Sequence, residues 1–351
     1  MTVTPQTPEE AAGGAGRADE TGVLEMAADV VDEAARDLAP AEQAAMEHLD
    51  APRRVLFVHA HPDDESIGNG ATMARYAAAG ASVTLLTCTR GELGEVIPPH
   101  LAHLAADRDD VLGEHRVQEL ATAMEALGVR DHRLLGGADA AYRDSGMVWA
   151  APGRAAAGDD VDPRSLVAAD PEEVAERLAQ VVREVRPQVV VTYEPGGGYG
   201  HPDHVRVHEV THRAVELAAS AGAAPWEVAK LYWSVWPEDE LRSRLRALRE
   251  AGVEDVVDPD GPMPSMVVPD ERVTTVVDAR EQLDAKVAAL RAHATQVVVE
   301  VDERGALFRL SNGVAHPLVA VEHYVLARGV PAGPFDGDGR ETDLFAGVAA
   351  S

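Results

Sequence analysis

The stretch VLFVHAHPDDE, residues 55–65, is an apolar run that ends abruptly in histidine, proline and three acids. Its first four residues are too few for a helix and include two valines, which predicts a strand buried in a parallel sheet. Pro62 has no N–H and a restricted φ, so it ends the strand, and a helical pattern follows. His61 and Asp64 are therefore expected at the carboxyl end of a strand, where open α/β sheets bind ligands.

The residue types in this stretch fit a metal site. His61 offers an imidazole and Asp64 a carboxylate oxygen, and both groups bind first-row metals. Asp63 lies between them and could be a third ligand, a partner behind the ligands or a general base. The alternative is that the acids only cap the following helix and favour its positive N-terminus. The short motif by itself leaves these interpretations open.

A second polar cluster, EPGGGYGHPDH at residues 194–204, follows the apolar run of residues 188–193. That run also reads as a buried strand, so the two clusters are expected at the same edge of the sheet. Together, His61, Asp64 and His204 make a set of two histidines and one carboxylate. Three protein ligands leave a position for water, as in catalytic zinc sites. Two such clusters after two strands favour a shared metal site over two unrelated polar loops.

The remaining polar residues of the clusters suit hydrolysis of an amide. A metal lowers the pKa of its water toward about 7, and Asp63 could accept that water's proton. Tyr199 could donate a hydrogen bond to an oxyanion. His201 could protonate a leaving nitrogen, with Asp203 favouring the charged form of the imidazole.

From residue 54 onward, apolar runs and helical patterns alternate. Strands are predicted at residues 55–58, 83–89, 132–135, 188–193, 230–236 and 273–277, and helices at residues 65–77, 109–127, 174–185, 238–251, 279–294 and 317–326. Residues 150–170 and 255–270 are predicted as loops. The alternation predicts a Rossmann-like α/β fold: a mostly parallel sheet with helices on both faces, plus a smaller C-terminal α+β region that closes the cleft.

The composition divides the chain further and limits its partners. Four parts are predicted: an acidic, partly disordered extension at residues 1–51 with a helix at 21–48, a metal-binding catalytic region at 52–225, a C-terminal region at 226–330 and a disordered tail at 331–351. The net charge of −29 argues against nucleic acid or an anionic membrane as partner. One cysteine, Cys88, allows no intramolecular disulfide, and no apolar run has transmembrane length, so a cytoplasmic location is expected.

Segments throughout residues 52–330 resemble the LmbE-like (PIG-L-like) family of zinc-dependent de-N-acetylases. Besides the two clusters, they are NGAT, TCTRGELGEVI, RDSGM, KVAALRAHATQVVV and EHYVLARG. Within the family they are most similar to the branch that deacetylates N-acetylglucosaminyl-inositol, a small glycoside, in mycothiol biosynthesis. The resemblance implies a hydrolase that releases acetate from that substrate and holds one Zn²⁺ per subunit, with Fe²⁺ as the alternative ion.

The resemblance also implies roles for individual residues. Metal ligands would be His61, Asp64 and His204. Residues of the reaction would be Asp63 as general base, Tyr199 at the oxyanion, and His201 with Asp203 as the acid toward the leaving amine. Substrate contacts would come from Arg116, Asp144, Met147 and Gln296, the last of these on a mobile segment.

Four alternatives differ in observable features. The mycothiol S-conjugate amidases of the same family carry a lysine where this chain has Ile67, although the chain's Gly68 also departs from the small polar residue usual in the deacetylases. Non-haem iron oxygenases share a His-x-Asp pattern, but their sites usually lie in β-barrels. A non-catalytic metal-binding or sugar-binding module would have no use for Asp63. A nucleotide-binding function is disfavoured because no G-x-G-x-x-G follows the first strand.

Overall fold

The computed structural model describes residues 53–138, 140–151, 154–158, 161–220, 224–303 and 305–349. The acidic extension predicted at residues 1–51 lies outside these ranges. The described residues up to 349 cluster into one compact unit. The predicted boundary at residue 225 therefore falls within that unit.

Strands and helices alternate along most of the chain, as the sequence pattern predicts. The strands are β1 (Arg54–His59), β2 (Ser82–Thr87), β3 (Asp131–Leu134), β4 (Val148–Ala151), β5 (Arg154–Ala156), β6 (Val189–Tyr193), β7 (Lys230–Pro237), β8 (Val267–Val268), β9 (Thr275–Asp278), β10 (Val298–Asp302), β11 (Gly305–Arg309), β12 (Ala315–Pro317) and β13 (Val321–Arg328). The helices are α1 (Asp64–Ala78), α2 (Leu112–Leu127), α3 (Pro171–Val185), α4 (Pro202–Ser220), α5 (Glu238–Glu250) and α6 (Leu283–Ala292). None of the helices in the described ranges is long and apolar enough to cross a bilayer.

An eight-stranded sheet with the order β3-β2-β1-β6-β7-β13-β9 forms the centre of the fold, with β8 beside β7. The first five strands of this order are parallel, whereas β13 is antiparallel to both β7 and β9. From β1 the chain moves outward to β2 and β3, then returns to the other side of β1 with β6. The crevice between β1 and β6 is thus a topological switch point, where ligands bind in sheets of this kind.

Both faces of the sheet are covered by helices, which confirms the predicted architecture. In β1, Val55 and Phe57 pack on one face with α1, α2 and α6, while Leu56 and Val58 pack on the other with α3 and α4. All four side chains are fully buried. Burial on both faces explains why this strand reads as a continuous apolar run rather than an alternating one.

Two sequence-based predictions of secondary structure are corrected. Residues 317–326, predicted as a helix, form the end of β12 and most of β13, because β13 pairs with β7 on one side and β9 on the other. The predicted loop at residues 150–170 includes part of the hairpin formed by β4 and β5. A short apolar run fits either a helix or a strand, and distant partners decide between them.

The structure describes the tail, predicted as disordered, up to residue 349. Glu341 is fully buried, and its carboxylate accepts hydrogen bonds from Lys230 Nζ and, at 2.8 Å, from the Tyr232 hydroxyl. Leu344 and Phe345 join the core under α1. The segment is rich in Gly and Asp, which predicts disorder, but Glu341, Leu344 and Phe345 bind it to the rest of the fold.

Candidate metal centre

The two polar clusters meet at the switch point. β1 and β6 are adjacent and parallel, with Val55 opposite Val189, so the residues that follow the two strands emerge side by side. The glycine loop after β6 approaches α4 closely: a Cβ on Gly197, whose φ is +65°, would lie 2.6 Å from the backbone nitrogen of Val205. Only glycine allows this approach, which sets His204 beside His61.

Three donor groups form a triangle in which the two oxygens of Asp64 each face one imidazole. His61 Nδ1 lies 3.3 Å from His204 Nε2 and 3.3 Å from Asp64 Oδ2, and His204 Nε2 lies 3.3 Å from Asp64 Oδ1. Ligands of a tetrahedral ion with bonds of about 2.0–2.1 Å lie about 3.3–3.4 Å apart. The donor set therefore fits a small divalent cation.

Two other groupings of donor atoms share His61. One is His61, His201 and His204, and the other is His61, Asp144 and Asp203, with all atoms of each group within 4.8 Å of one another. The triangle with Asp64 uses His61 Nδ1, whereas Nε2 of the same ring faces the carboxylates of Asp203 and Asp144 at 3.1 and 3.6 Å and is taken up by that contact. We therefore favour the triangle as the metal position.

The carboxylate of Asp203 contacts His61, whereas the predicted role of Asp203 was to favour the charged form of His201. Its carboxylate accepts from His61 Nε2 at 3.1 Å, from the Ser145 backbone nitrogen at 2.9 Å and from the Ser145 hydroxyl. A carboxylate on the far ring nitrogen fixes the tautomer that leaves Nδ1 free for a metal. His201 Nδ1 instead accepts the backbone N–H of Asp203 at 3.1 Å.

Tyr193, the last residue of β6, holds two of the three proposed ligands. Its hydroxyl donates to Asp64 Oδ2 at 2.7 Å and accepts the backbone N–H of Ala60 at 2.8 Å. Its ring stacks on the His204 imidazole at 4.3 Å between centroids with an interplanar angle of 12°. Sequence reasoning missed this residue, although its position at the end of the strand before the second cluster was a usable signal.

Asp63 adopts a backbone conformation that non-glycine residues rarely show, with φ 120° and ψ −32°. Its side chain makes no capping hydrogen bond to α1, which removes the interpretation of this acid as a helix cap. Arg116 Nη2 donates to Asp63 Oδ2 at 3.1 Å. Burial raises the pKa of Asp63 to about 6, against the opposing influence of Arg116. A carboxylate of this pKa suits a general base near neutral pH.

The charges around the triangle favour a cation. Burial opposes ionisation of Asp64, but His204 and His61 hold the pKa of Asp64 well below its usual range. Burial likewise opposes a charged His61, whereas Asp144, Asp203 and Asp64 raise the pKa of His61 well above its usual range. These buried carboxylates attract positive charge, which a divalent ion would supply with His61 as a neutral ligand.

Tyr199 and His201 line the same space. The His201 ring lies 4.6 Å from the His61 ring, and the Tyr199 ring meets the His204 ring edge-on at 5.3 Å. Burial raises the pKa of Tyr199, so its hydroxyl stays protonated. Burial, together with His61 and His204, lowers the pKa of His201 well below its usual range. Trp149 of β4, 49% exposed, lies over Tyr199 at 6.0 Å and was also missed.

The four residues predicted to contact substrate differ in their surroundings. Arg116 is buried, and its terminal nitrogens donate to the carbonyl oxygens of Pro62 and Gly91 as well as to Asp63. The structure thus places it behind Asp63. Asp144 is buried as well, and accepts the backbone N–H groups of Leu93 and Gly146.

Met147 is half-buried at the start of the β4–β5 hairpin. Gln296 donates through Nε2 to the Thr295 hydroxyl at 3.1 Å, and Thr295 is itself bound by the buried carboxylate of Glu119. Its Oε1 lies 2.5 Å from the position that a Cβ on Gly94 would take. Thr295 thus joins this turn to α2, and the mobility of the segment stays a prediction.

Known proteins are similar to this chain in sequence. The PIG-L family model, described as GlcNAc-PI de-N-acetylase, matches residues 56–215. A 1D-myo-inositol 2-acetamido-2-deoxy-alpha-D-glucopyranoside deacetylase from Kineococcus radiotolerans is 65% identical, covering 100% of this chain and 100% of its own. A protein of the same name from a Nocardioides species is 53% identical, covering 84% of this chain and 99% of its own.

A solved structure confirms the fold alone. It is the 4-carboxy-2-hydroxymuconate hydratase GalB from Pseudomonas putida KT2440, with a TM-score of 0.51 at 18% identity, covering 81% of this chain and 100% of that one. A hydratase with this fold illustrates that fold does not determine the reaction. The family model and the full-length relatives carry the assignment: the chain belongs to the PIG-L (LmbE-like) family of de-N-acetylases.

Proposed function

We propose that the protein removes the acetyl group from 1D-myo-inositol 2-acetamido-2-deoxy-alpha-D-glucopyranoside, giving glucosaminyl-inositol and acetate. The observation that carries this proposal is the 65% identity, over the full length of both chains, to a deacetylase named for that substrate. The hydrolytic chemistry agrees with two imidazoles and a carboxylate arranged around one point. The step belongs to mycothiol biosynthesis, and we place it in the cytoplasm as a biosynthetic step on a small-molecule substrate.

His61, Asp64 and His204 hold the metal in this proposal. When bound, a divalent ion polarises the amide carbonyl and makes a water nucleophilic at neutral pH. Zinc fits the donor set and ferrous iron is the alternative, since both accept imidazole and carboxylate ligands. Asp203 and Tyr193 orient the ligands from behind.

The chain's own residues then move the protons. Asp63 accepts a proton from the attacking water, and its pKa of about 6 leaves it ionised at neutral pH. The Tyr199 hydroxyl donates to the oxygen of the acetyl group as negative charge develops there. His201 passes a proton to the leaving nitrogen. Its lowered pKa keeps the imidazole neutral until then, so it first takes up the proton that Asp63 removed from the water and then releases it to the amine.

The substrate occupies the mouth of this site in the proposal. Asp144 and Gln296 offer acceptors and donors toward sugar or inositol hydroxyls. Met147 and Trp149 provide apolar surface beside Tyr199. Arg116 contributes by holding Asp63 and the Pro62 carbonyl.

The experiment compares two substrates with one purified protein. Acetate release from the acetamido glycoside is measured beside cleavage of a mycothiol S-conjugate, first as purified, then after chelation, then after addition of zinc or ferrous iron. The proposal expects faster turnover of the glycoside, loss of activity on chelation and recovery with metal. Preference for the S-conjugate would assign the amidase function instead, and no turnover of either substrate would reject the hydrolase.

A further inference from the structure

A buried polar chain lies behind Asp63 and has no role in the mechanism above. It consists of Glu65, Ser66 and His293, all of them fully buried. Glu65 Oε1 accepts from the Ser66 hydroxyl at 2.6 Å and lies 2.9 Å from His293 Nε2. An ionised carboxylate only accepts hydrogen bonds, so Nε2 of His293 carries the hydrogen.

The other oxygen of Glu65 leads to Asp63. Glu65 Oε2 accepts the backbone N–H of Asp63 at 3.0 Å. This amide belongs to the residue with φ 120°, a conformation that persists only where the surroundings enforce it. Arg116 anchors Asp63 through its side chain, and Glu65 anchors it through its backbone. Asp63 is therefore held by two contacts, one on its carboxylate and one on its backbone amide.

His293 is a costly residue for a purely structural position. Its Nδ1 is buried and has no hydrogen-bond partner among the described residues. A buried unpaired polar atom destabilises a fold, so an apolar side chain would serve packing better. Contacts other than those of His293 already join α6 to α1. Lys286 Nζ binds Glu322 at 2.6 Å, and Glu322 accepts the backbone N–H groups of Ala71 and Thr72.

His293 also begins the turn that carries Gln296. Its carbonyl oxygen accepts the backbone N–H groups of Gln296 at 3.0 Å and Val297 at 2.9 Å. One residue thus contacts both the support of the proposed base and the turn at the substrate side. We propose that His293 is a positioning residue that acts through Glu65 to hold Asp63 in the backbone geometry its proton transfer requires. This inference rests on the function proposed above.

The test uses three variants in the full-length, metal-loaded protein. His293→Leu removes the donor at similar volume, His293→Gln keeps a donor near the position of Nε2, and Lys286→Met breaks the neighbouring buried ion pair as a control. We expect His293→Leu to lower kcat on the order of 10- to 100-fold, as misplacement of a reacting group does, with KM and bound metal unchanged. His293→Gln should restore most of kcat, and Lys286→Met should lower thermal stability while kcat of the folded protein is kept.

A second arm separates positioning from general damage. In an Asp63→Asn background, His293→Leu should cause no further loss of the residual rate, because residues that act as one unit are not additive. The inference is overturned by an equal loss in both backgrounds, by an unchanged kcat in His293→Leu, by loss of metal, or by an equal loss in Lys286→Met. The unsubstituted protein is measured in parallel: if it releases no acetate, the proposed function fails, whereas an active parent with any of these results rejects only the role of His293.

Discussion

The hydroxyl of Tyr193 donates a 2.7 Å hydrogen bond to the carboxylate of Asp64, the only acid among the three proposed metal ligands. The same residue stacks on His204, so one aromatic side chain fixes two ligands that come from different loops. Loss of a residue that orients a metal ligand commonly costs about 10- to 100-fold in metal affinity or activity. This relationship gives the first prediction.

Tyr193→Phe keeps the stacking and removes the hydrogen bond. We expect metal affinity to fall by about 10- to 100-fold, with a smaller change in kcat at saturating metal. Competition with a chelator of known affinity measures the change. Tyr142→Phe is the matched control. The Tyr142 hydroxyl donates to Glu173 at 3.3 Å and contacts none of the proposed metal ligands. Equal affinity in Tyr193→Phe and the parent would contradict the support role.

Ser145→Ala removes the hydroxyl that binds Asp203 and accepts the Val167 backbone N–H at 3.0 Å. Because Asp203 orients His61, we expect weaker metal binding, about tenfold, with Asp203→Ala losing more. Ser220→Ala on the exposed end of α4 serves as the control. The same chelator competition decides the result, and tighter or unchanged binding in Ser145→Ala would speak against this chain of contacts.

Asp63 gives a prediction on pH. Its pKa is about 6 in the folded chain, above the ordinary 3.8, so the base form is lost as pH falls through 6. A bound cation favours the carboxylate form further and lowers this pKa. A pH profile of kcat/KM should therefore show activity falling on the acidic side, with an apparent pKa at or below about 6. Because folding raises this pKa, the group makes the metal-free protein less stable, not more, as pH rises from about 4 to 6.

Asp63→Asn tests the same residue by substitution. The change keeps the size of the side chain and removes its basicity, so kcat should fall on the order of 100- to 10,000-fold. Metal content should stay equal to that of the parent, as measured by elemental analysis. A variant that binds metal and keeps its rate of acetate release would show that another group takes the proton.

The ordered tail predicts a loss of stability in Glu341→Ala. Lys230, 2% exposed, would lose its buried partner, and such losses cost about 3–5 kcal/mol of the free energy of unfolding. Urea unfolding, with Asp278→Ala at the exposed pair Asp278–Arg280 as the control, measures the difference. Removal of residues 331–351 should also lower the free energy of unfolding. An unchanged midpoint in Glu341→Ala would mean that the tail does not support the sheet.

The sequence was sufficient for the parts of the fold that depend on local pattern. β1, β6 and α1 could be predicted because apolar runs, Pro62 and helical spacing act over a few residues. The meeting of the two polar clusters could be predicted from the same residues, since the carboxyl ends of neighbouring parallel strands lie together. β13 could not be predicted, because its apolar run fits either a helix or a strand. Its pairing with β7 and β9 makes it a strand.

Contacts between distant segments were the second limit. Asp203 was assigned to His201, its neighbour in sequence. Its carboxylate contacts His61, which lies 142 residues earlier in the chain. His293 and Glu65 likewise carry no joint spacing signal, and Glu341 is one acid in a polar tail. Such contacts depend on the folded chain, so no local rule could find them.

The most direct test is anomalous diffraction from crystals of the full-length protein loaded with zinc. The account expects one ion within about 2.0–2.2 Å of His61 Nδ1, an Asp64 oxygen and His204 Nε2. An ion bound instead by His61, Asp144 and Asp203, or none at these residues in an enzyme that still releases acetate, would contradict it.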